Sequence, residues 1–240
     1  MTTAAELASY ASSFPSFRNR IINGNLSNPI NQRGAGSITA STGYTYDRWY
    51  YDGSTYLYQG IEDKNVNNGT YVISWEGAGI NAAWKVSTDT TAGNGPDATT
   101  GFTSVSNGGT FTVNEGTEYS KHLWIRFDGT LANLNKVQVE EGTVATPFEH
   151  RPYGTELALC QRYYQHGVPT FGTSRSTDNV IHSSAFFKVS MRDTPTKVEE
   201  YNQYGQTISI QAINKDYYAT FATSGGSSSL HARFNMSAEL

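Results

Sequence analysis

Short extended segments separated by turn residues constrain the fold of this 240-residue chain most strongly. Clusters such as Asp52-Gly53 and Asn107-Gly108-Gly109 interrupt the apolar pattern repeatedly between Ile21 and Arg151, as tight turns do. The segments that look extended are Tyr44–Tyr51, Thr55–Ile61, Gly69–Glu76, Ile80–Ser87, Thr110–Val113, Tyr119–Asp128 and Leu134–Glu141. Many short strands with frequent turns favour an all-β fold, a jelly-roll or β-sandwich module.

Alternation within these segments predicts which side chains face the core. In Tyr119–Asp128 the apolar residues Leu123, Ile125 and Phe127 share one face, because successive side chains of a strand point to opposite sides. By the same rule Trp75 and Trp84 are predicted core residues. The opposite face of Tyr119–Asp128 carries His122, Trp124 and Arg126.

The period changes after this region. Leu157, Cys160, Tyr163 and Tyr164 recur as on one face of a helix, which predicts a short helix over Glu156–Gln165 that closes at Gly167 and Pro169. The strand pattern then returns in a smaller β-module, in the segments Val180–Met191, Gln206–Ile213, Asp216–Thr223 and Leu230–Ser237.

The resulting division has four parts. Residues 1–20 are predicted to form an N-terminal attachment helix and linker, with a capping-box helix over Thr3–Ser12 for which a frayed terminus is an equally weighted alternative, and residues 21–153 are predicted to form the jelly roll. Residues 154–170 are a helical connector, and residues 171–240 are the C-terminal β-module. Four strands make a small core, so this last module is expected to need a partner surface and to oligomerise.

Composition excludes several classes of function. The net charge of −4 and the lack of a basic run argue against a nucleic-acid partner. The single cysteine, Cys160, can form no internal disulfide and no cysteine-based zinc site, and it is expected to be a buried, inert thiol. No segment approaches the ~20 apolar residues of a membrane helix, so we expect no membrane insertion, and no signal peptide is visible at the N-terminus.

No motif has the geometry of an active site. Gly77-Ala78-Gly79 resembles part of a dinucleotide fingerprint, but a strand follows it, which favours a hairpin turn. Glu140 and Glu141 are neighbours on a strand and point to opposite faces, so they cannot act as a glycosidase pair. The five histidines lack metal-ligand spacing. We therefore expect no enzyme activity, no cofactor and no bound metal.

The excess of aromatic residues, 13% of the chain, is the main indication of function. A flat ring can cover the apolar face of a sugar while nearby polar groups bind its hydroxyls. Trp124, flanked by His122 and Arg126, together with Tyr56 and Tyr58 of a neighbouring segment, is predicted to form a carbohydrate-binding platform. The alternative is that these aromatics pack in a subunit interface. The last third offers a second patch with the same ambiguity: Tyr201, Tyr204, Tyr217 and Tyr218.

Several motifs resemble a known family. The run from Lys136 to Tyr164, containing Glu140-Glu141-Gly142-Thr143 and Pro147-Phe148-Glu149-His150-Arg151-Pro152-Tyr153-Gly154, resembles the end of the carbohydrate-binding-module-like jelly roll of phage tail fibres and prophage tail proteins. Asn23–Ser27, Asn31–Gly34 and Tyr46–Trp49 resemble its opening, and Met236–Leu240 resembles the end of such fibres. The resemblance implies a location in the virion after synthesis in the host cytoplasm, a homotrimer and recognition of a host-surface glycan. It also implies contacts with other virion proteins, for which the N-terminus is the expected site.

Such modules sometimes hold a structural calcium ion, and Asn25 and Glu140 are suitably placed, but two residues do not supply the six or more oxygens needed. Three functions compete at this point: a glycan-binding receptor-recognition fibre, a purely structural virion component such as an adaptor, collar or head-decoration protein, and a polysaccharide depolymerase.

Overall fold

A computed structural model describes residues 17–87, 100–114, 122–173, 180–202, 207–223 and 229–239. Antiparallel sheets dominate it, which confirms the predicted all-β fold. The helix predicted over Thr3–Ser12 lies outside the described residues.

The first part of the chain, here called the N-terminal sandwich, consists of two packed antiparallel sheets. One has the strand order β1-β2-β3-β8-β5-β6 and the other has the order β7-β4-β9. The strands are β1 (Gly43–Tyr44), β2 (Tyr50–Tyr51), β3 (Leu57–Ile61), β4 (Gly69–Glu76), β5 (Ile80–Ser87), β6 (Thr103–Val105), β7 (Thr110–Val113), β8 (His122–Gly129) and β9 (Asn135–Glu141). Short 3-10 turns occupy Asp63–Asn65 and Leu131–Asn133.

The core between these sheets matches the predicted alternation. Leu123, Ile125 and Phe127 are fully buried, Trp75 is buried, and Trp84 packs against the same cluster from a half-buried position. Residues of β4 and β9 face them from the second sheet, so the apolar residues of each strand fill one shared interior.

Two turns differ from the prediction. Tyr44–Tyr51 is not one strand: the chain reverses within it, with Arg48 at a φ of 72° and the Thr45 amide donating to the Trp49 carbonyl at 2.9 Å. Gly77–Gly79 is not a hairpin either, because β4 and β5 belong to different sheets. At Gly77 a Cβ would lie 2.2 Å from the Asn133 carbonyl oxygen, which requires glycine where the chain passes between the sheets.

The last part of the chain, here called the C-terminal sandwich, also has two sheets, with orders β10-β15-β12 and β11-β14-β13. Helix α1 (Tyr153–Gln161) precedes it. The strands are β10 (Tyr164–Thr173), β11 (Val180–Phe186), β12 (Thr196–Asn202), β13 (Thr207–Ile213), β14 (Tyr217–Thr223) and β15 (Ser229–Ser237). Tyr218 of one sheet meets Phe234 of the other edge-on, with ring centres 5.7 Å apart, in the centre of a small core.

The predicted helix over Glu156–Gln165 and the connector over residues 154–170 are wrong in their second half, where β10 begins. Gly167, at a φ of 63°, sits at the irregular pairing between Gln165 and Val168, and its amide donates to the Asn235 side chain at 2.9 Å. Pro169 is tolerated because β10 is an edge strand. β12 was missed because its charged sequence lacks alternation, which is common in edge strands.

A cluster of buried charges joins the two sandwiches, and we call it the junction. Glu239, from the end of the chain, forms ion pairs with Arg48 and, at 2.9 Å, with Arg33; its carboxylate is fully buried. The two guanidinium groups lie over the rings of Tyr163 and Tyr164, at 3.5 Å and 3.7 Å from the ring centres. The junction therefore connects the turn between β1 and β2 to both the start of β10 and the end of β15.

Burial shapes the protonation of the junction. Burial alone would lower the pKa of Arg48, but Glu239 raises it above its usual value, so the guanidinium remains charged. The pKa of Asp47 is raised to about 7 by burial, although hydrogen bonds from Gln32 and the charge of Arg33 oppose the shift. Glu62 adds weaker pairs to Arg162 at 3.4 Å and to Arg192 at 3.8 Å.

We expect Glu239→Gln to lower the free energy of unfolding by about 3–5 kcal/mol, because it leaves buried guanidinium charge without its carboxylate. The matched control is Glu76→Gln, which removes the half-exposed pair to Lys136 and should change stability by less than about 1 kcal/mol. Urea unfolding measures the free energy of unfolding of both variants. Equal losses would contradict the role of Glu239 as the buried partner of the guanidinium groups.

Candidate functional site

The predicted sugar-binding residues do meet on one face of the six-stranded sheet. Tyr58 of β3 pairs with Arg126 of β8, and Gly60 pairs with Trp124 in the same register. His122 lies two residues before Trp124 and on the same face, and Tyr56 comes directly before β3. The spatial grouping inferred from the sequence is thus present.

The expected exposure of this group is wrong for three of its members. Trp124 and Tyr58 are 0% and 1% exposed, and His122 is also buried. Tyr163 packs against Tyr58 and Trp124 and covers them, while Trp124 Nε1 has no hydrogen-bond partner in the part of the chain that the structure describes. Trp124 is therefore a core residue of this face and has no surface on which a sugar could stack.

A half-exposed layer remains above the buried rings, and we call it the aromatic face: Tyr50, Tyr56, Lys85, Phe102 and Arg126. The Arg126 guanidinium lies 4.2 Å from the ring centre of Tyr56 and 4.7 Å from that of Phe102. The Lys85 ammonium lies 5.8 Å from the centre of Phe102. Cations over rings at these distances hold the rings in place and keep donors beside them.

The buried Tyr58 ring connects the members of the aromatic face. Its centre lies 5.9 Å from Phe102, 6.0 Å from Tyr56 and 6.3 Å from Tyr50. Burial raises the pKa of Tyr58 above its usual value, so its hydroxyl stays protonated. The half-exposed rings of the aromatic face thus pack against the buried, uncharged ring of Tyr58.

Asp52 fixes the turn that presents Tyr56. One carboxylate oxygen accepts hydrogen bonds from the amides of Ser54 at 2.8 Å, Thr55 at 2.8 Å and Tyr56 at 3.0 Å. Burial alone would raise the pKa of Asp52, but these hydrogen bonds lower it, so the turn is anchored by a carboxylate at neutral pH.

A second depression, here called the polar cleft, was not found by sequence reasoning. It has a volume of about 260 Å³ and lies where residues 19–30, the segment 148–151 and the first turn of α1 meet. Tyr153 stands at its rim with 68% of its surface exposed. Its residues come from two distant stretches of sequence, 19–30 and 148–156, and only the unusual number of asparagines between Asn19 and Asn31 could have indicated it.

The remaining candidates of the sequence analysis have structural partners. Glu140 is buried and accepts hydrogen bonds from Gln138 and Thr146, while the Asn25 side chain accepts one from Ser27. No cluster of three or more metal-ligating residues is present among the described residues. Burial raises the pKa of the Cys160 thiol, which confirms the expected buried thiol.

The second tyrosine patch does not form as predicted. Tyr218 is buried, and the exposed Tyr201 and Tyr217 belong to different sheets of the C-terminal sandwich. Tyr204 lies outside the described residues.

No protein-family model, curated protein or solved structure matches the chain. Within the described residues, no helix has the length and apolar character needed to cross a membrane.

We expect Trp124→Ala to destabilise the protein by about 3–5 kcal/mol, since it opens a cavity between the sheet and Tyr163. Tyr201→Ala, which truncates a ring that is 65% exposed, should change the free energy of unfolding by less than about 0.5 kcal/mol. Thermal and urea unfolding measure both losses in the free energy of unfolding. If the loss in Trp124→Ala were as small as that in Tyr201→Ala, the assignment of Trp124 to the core would be wrong.

Proposed function

We propose that this protein is a virion component that binds a host-surface glycan through the aromatic face. The observation that carries the proposal is the row of half-exposed rings held by Arg126 and Lys85 above a packed layer. The family resemblance of the segment from Lys136 to Tyr164 supports the assignment to a phage tail fibre or a related receptor-binding protein.

The chemistry of the aromatic face suits a saccharide. Rings of Tyr50, Tyr56 and Phe102 offer apolar area to the CH face of a sugar, and Arg126, Lys85 and the tyrosine hydroxyls offer hydrogen-bonding groups to its hydroxyls. The rigid layer beneath reduces the entropy lost on binding, which favours weak ligands such as single sugars.

We expect the protein to bind the glycan without cleaving it. Two other functions predict different results. A purely structural virion protein would show no glycan binding, and a depolymerase would release reducing sugar from the bound polysaccharide. The aromatic face itself contains two cations and no carboxylate, so it lacks the paired acids that most glycosidases use.

We expect Tyr56→Ala and Phe102→Ala each to weaken binding of immobilised host polysaccharide by about 3- to 10-fold, the usual loss when one ring contact is removed. Surface plasmon resonance measures the affinity, and Val144→Ala serves as the control, since Val144 is 77% exposed and follows β9, which belongs to the other sheet of the N-terminal sandwich. Wild-type protein that binds no glycan on an array, or ring variants that bind like wild type, would refute the proposal.

We also propose that the protein is a homotrimer assembled through the segment Phe171–Leu240. Phe186, 80% exposed, and Tyr217 lie side by side there, with ring centres 6.2 Å apart. A trimer would cover such residues and repeat each sugar site three times, and tethered sites can raise avidity by ~10²–10⁴ without new contacts.

Light scattering is expected to give three times the chain mass of 26.3 kDa, and Phe186→Ser should shift the protein towards monomer. Val144→Ser, at an exposed position of the N-terminal sandwich, is the control that should leave the trimer intact. A wild-type protein that is monomeric at micromolar concentration would contradict the trimer.

A further inference from the structure

The polar cleft shares no residue with the aromatic face and combines bound charges with neutral polar groups. We propose that it is a second binding site, which takes one uncharged sugar ring. The residues that line it are Asn19, Asn23, Gly24, Asn25, Asn28, Ile30, Phe148, Glu149, His150, Arg151, Tyr153 and Glu156.

The charged side chains of the cleft form hydrogen bonds and ion pairs with other groups of the protein. Arg151 donates to the Ile21 carbonyl at 3.1 Å, to the Asn19 carbonyl and to Glu156 at 3.2 Å. Glu149 accepts hydrogen bonds from the amides of Arg18 and Asn19, at 3.2 Å and 3.0 Å. These groups fix the shape of the cleft by joining the N-terminal segment to the start of α1.

The same ions determine which ligand charge the cleft tolerates. One guanidinium, Arg151, faces two carboxylates, Glu149 and Glu156, which leaves an excess of one negative charge. The Glu149 and Glu156 side chains are only 13% and 17% exposed, so this charge is poorly screened by solvent. An acidic sugar is therefore disfavoured, and a neutral one is not.

Further polar side chains surround these ions. Asn28 and His150 are exposed at the cleft and Asn25 is half-buried, and an amide offers both a donor and an acceptor, as each sugar hydroxyl requires. Arg151 Nε is buried and donates to no partner in the part of the chain that the structure describes.

Tyr153 supplies the apolar contact. It is the first residue of α1, follows Pro152, and is held by its backbone while 68% of its surface stays open. On the neighbouring segment, Phe148 and His150 meet edge to face with ring centres 4.9 Å apart. A sugar ring placed in the cleft can thus turn its CH face to an aromatic side chain and its hydroxyls to the amides.

The size of the cleft limits the ligand to one ring. Its volume of about 260 Å³ lies below the ~300–1,000 Å³ of pockets that enclose drug-sized molecules. A longer glycan would place a single terminal unit in it and leave the rest in solvent.

Saturation-transfer difference NMR on the full chain tests the inference with glucose, galactose, mannose and N-acetylglucosamine as neutral probes and glucuronate as the acidic one. At least one neutral sugar is expected to receive saturation, and glucuronate is expected to receive much less. Tyr153→Ala and Asn28→Ala should each reduce the affinity by about 3- to 10-fold, whereas Tyr201→Ala should not.

The aromatic-face variant Tyr56→Ala separates the two proposals. If it retains the NMR signal while losing polysaccharide binding, both sites exist, and if it abolishes the NMR signal the monosaccharide binds at the aromatic face and the cleft inference fails. Three further results would overturn the cleft inference. They are that no neutral sugar receives saturation, that glucuronate receives as much as the neutral sugars, or that the signal is unchanged in Tyr153→Ala. The Tyr153→Ala and Asn28→Ala variants test the cleft whether or not the aromatic face binds a glycan.

Discussion

The carboxylate of Glu239 is buried between Arg48 and Arg33, and much of the molecule is positioned by this contact. Removing three charges from water is costly, and the cost is offset only where each ion is paired and hydrogen-bonded. Arg48 also donates to the carbonyl of Gly60 in β3 and lies over Tyr163. The contact therefore fixes Glu239, which follows β15, against the six-stranded sheet of the N-terminal sandwich.

This arrangement explains why the aromatic residues of that sheet divide into two layers. Tyr163, placed beside Arg48 by the junction, covers Trp124 and Tyr58 and removes them from solvent. The rings further along the sheet, Tyr56 and Phe102, remain half-exposed and are held by Arg126. Buried and half-exposed rings thus lie on one face of the sheet, and the buried layer supports the half-exposed rings that we propose bind a glycan.

Alternation along single strands was enough to predict the all-β fold, the core residues of β8 and the grouping of Trp124 with Arg126 and Tyr58. It could not predict that Trp124 is buried, because Tyr163 is distant in sequence and the sequence pattern around it indicated a helix. Gly167 and Pro169, which usually end a helix, instead occupy an irregular edge strand. The junction could not be predicted for the same reason, because its ion pairs join Arg33 and Arg48 to Glu239, which is distant from both in sequence.

Because the junction joins the two sandwiches through buried ion pairs, we expect them to unfold as one unit, and hydrogen exchange during urea unfolding tests this most directly. All four tryptophans, Trp49, Trp75, Trp84 and Trp124, lie in the N-terminal sandwich, so their fluorescence reports on that part alone. Exchange of peptides from β14, followed by mass spectrometry, reports on the C-terminal sandwich. Coincident urea midpoints for the two probes are the predicted result. If β14 exchanges at a urea concentration where the tryptophan fluorescence is still native, the two sandwiches unfold separately and the junction does not couple them.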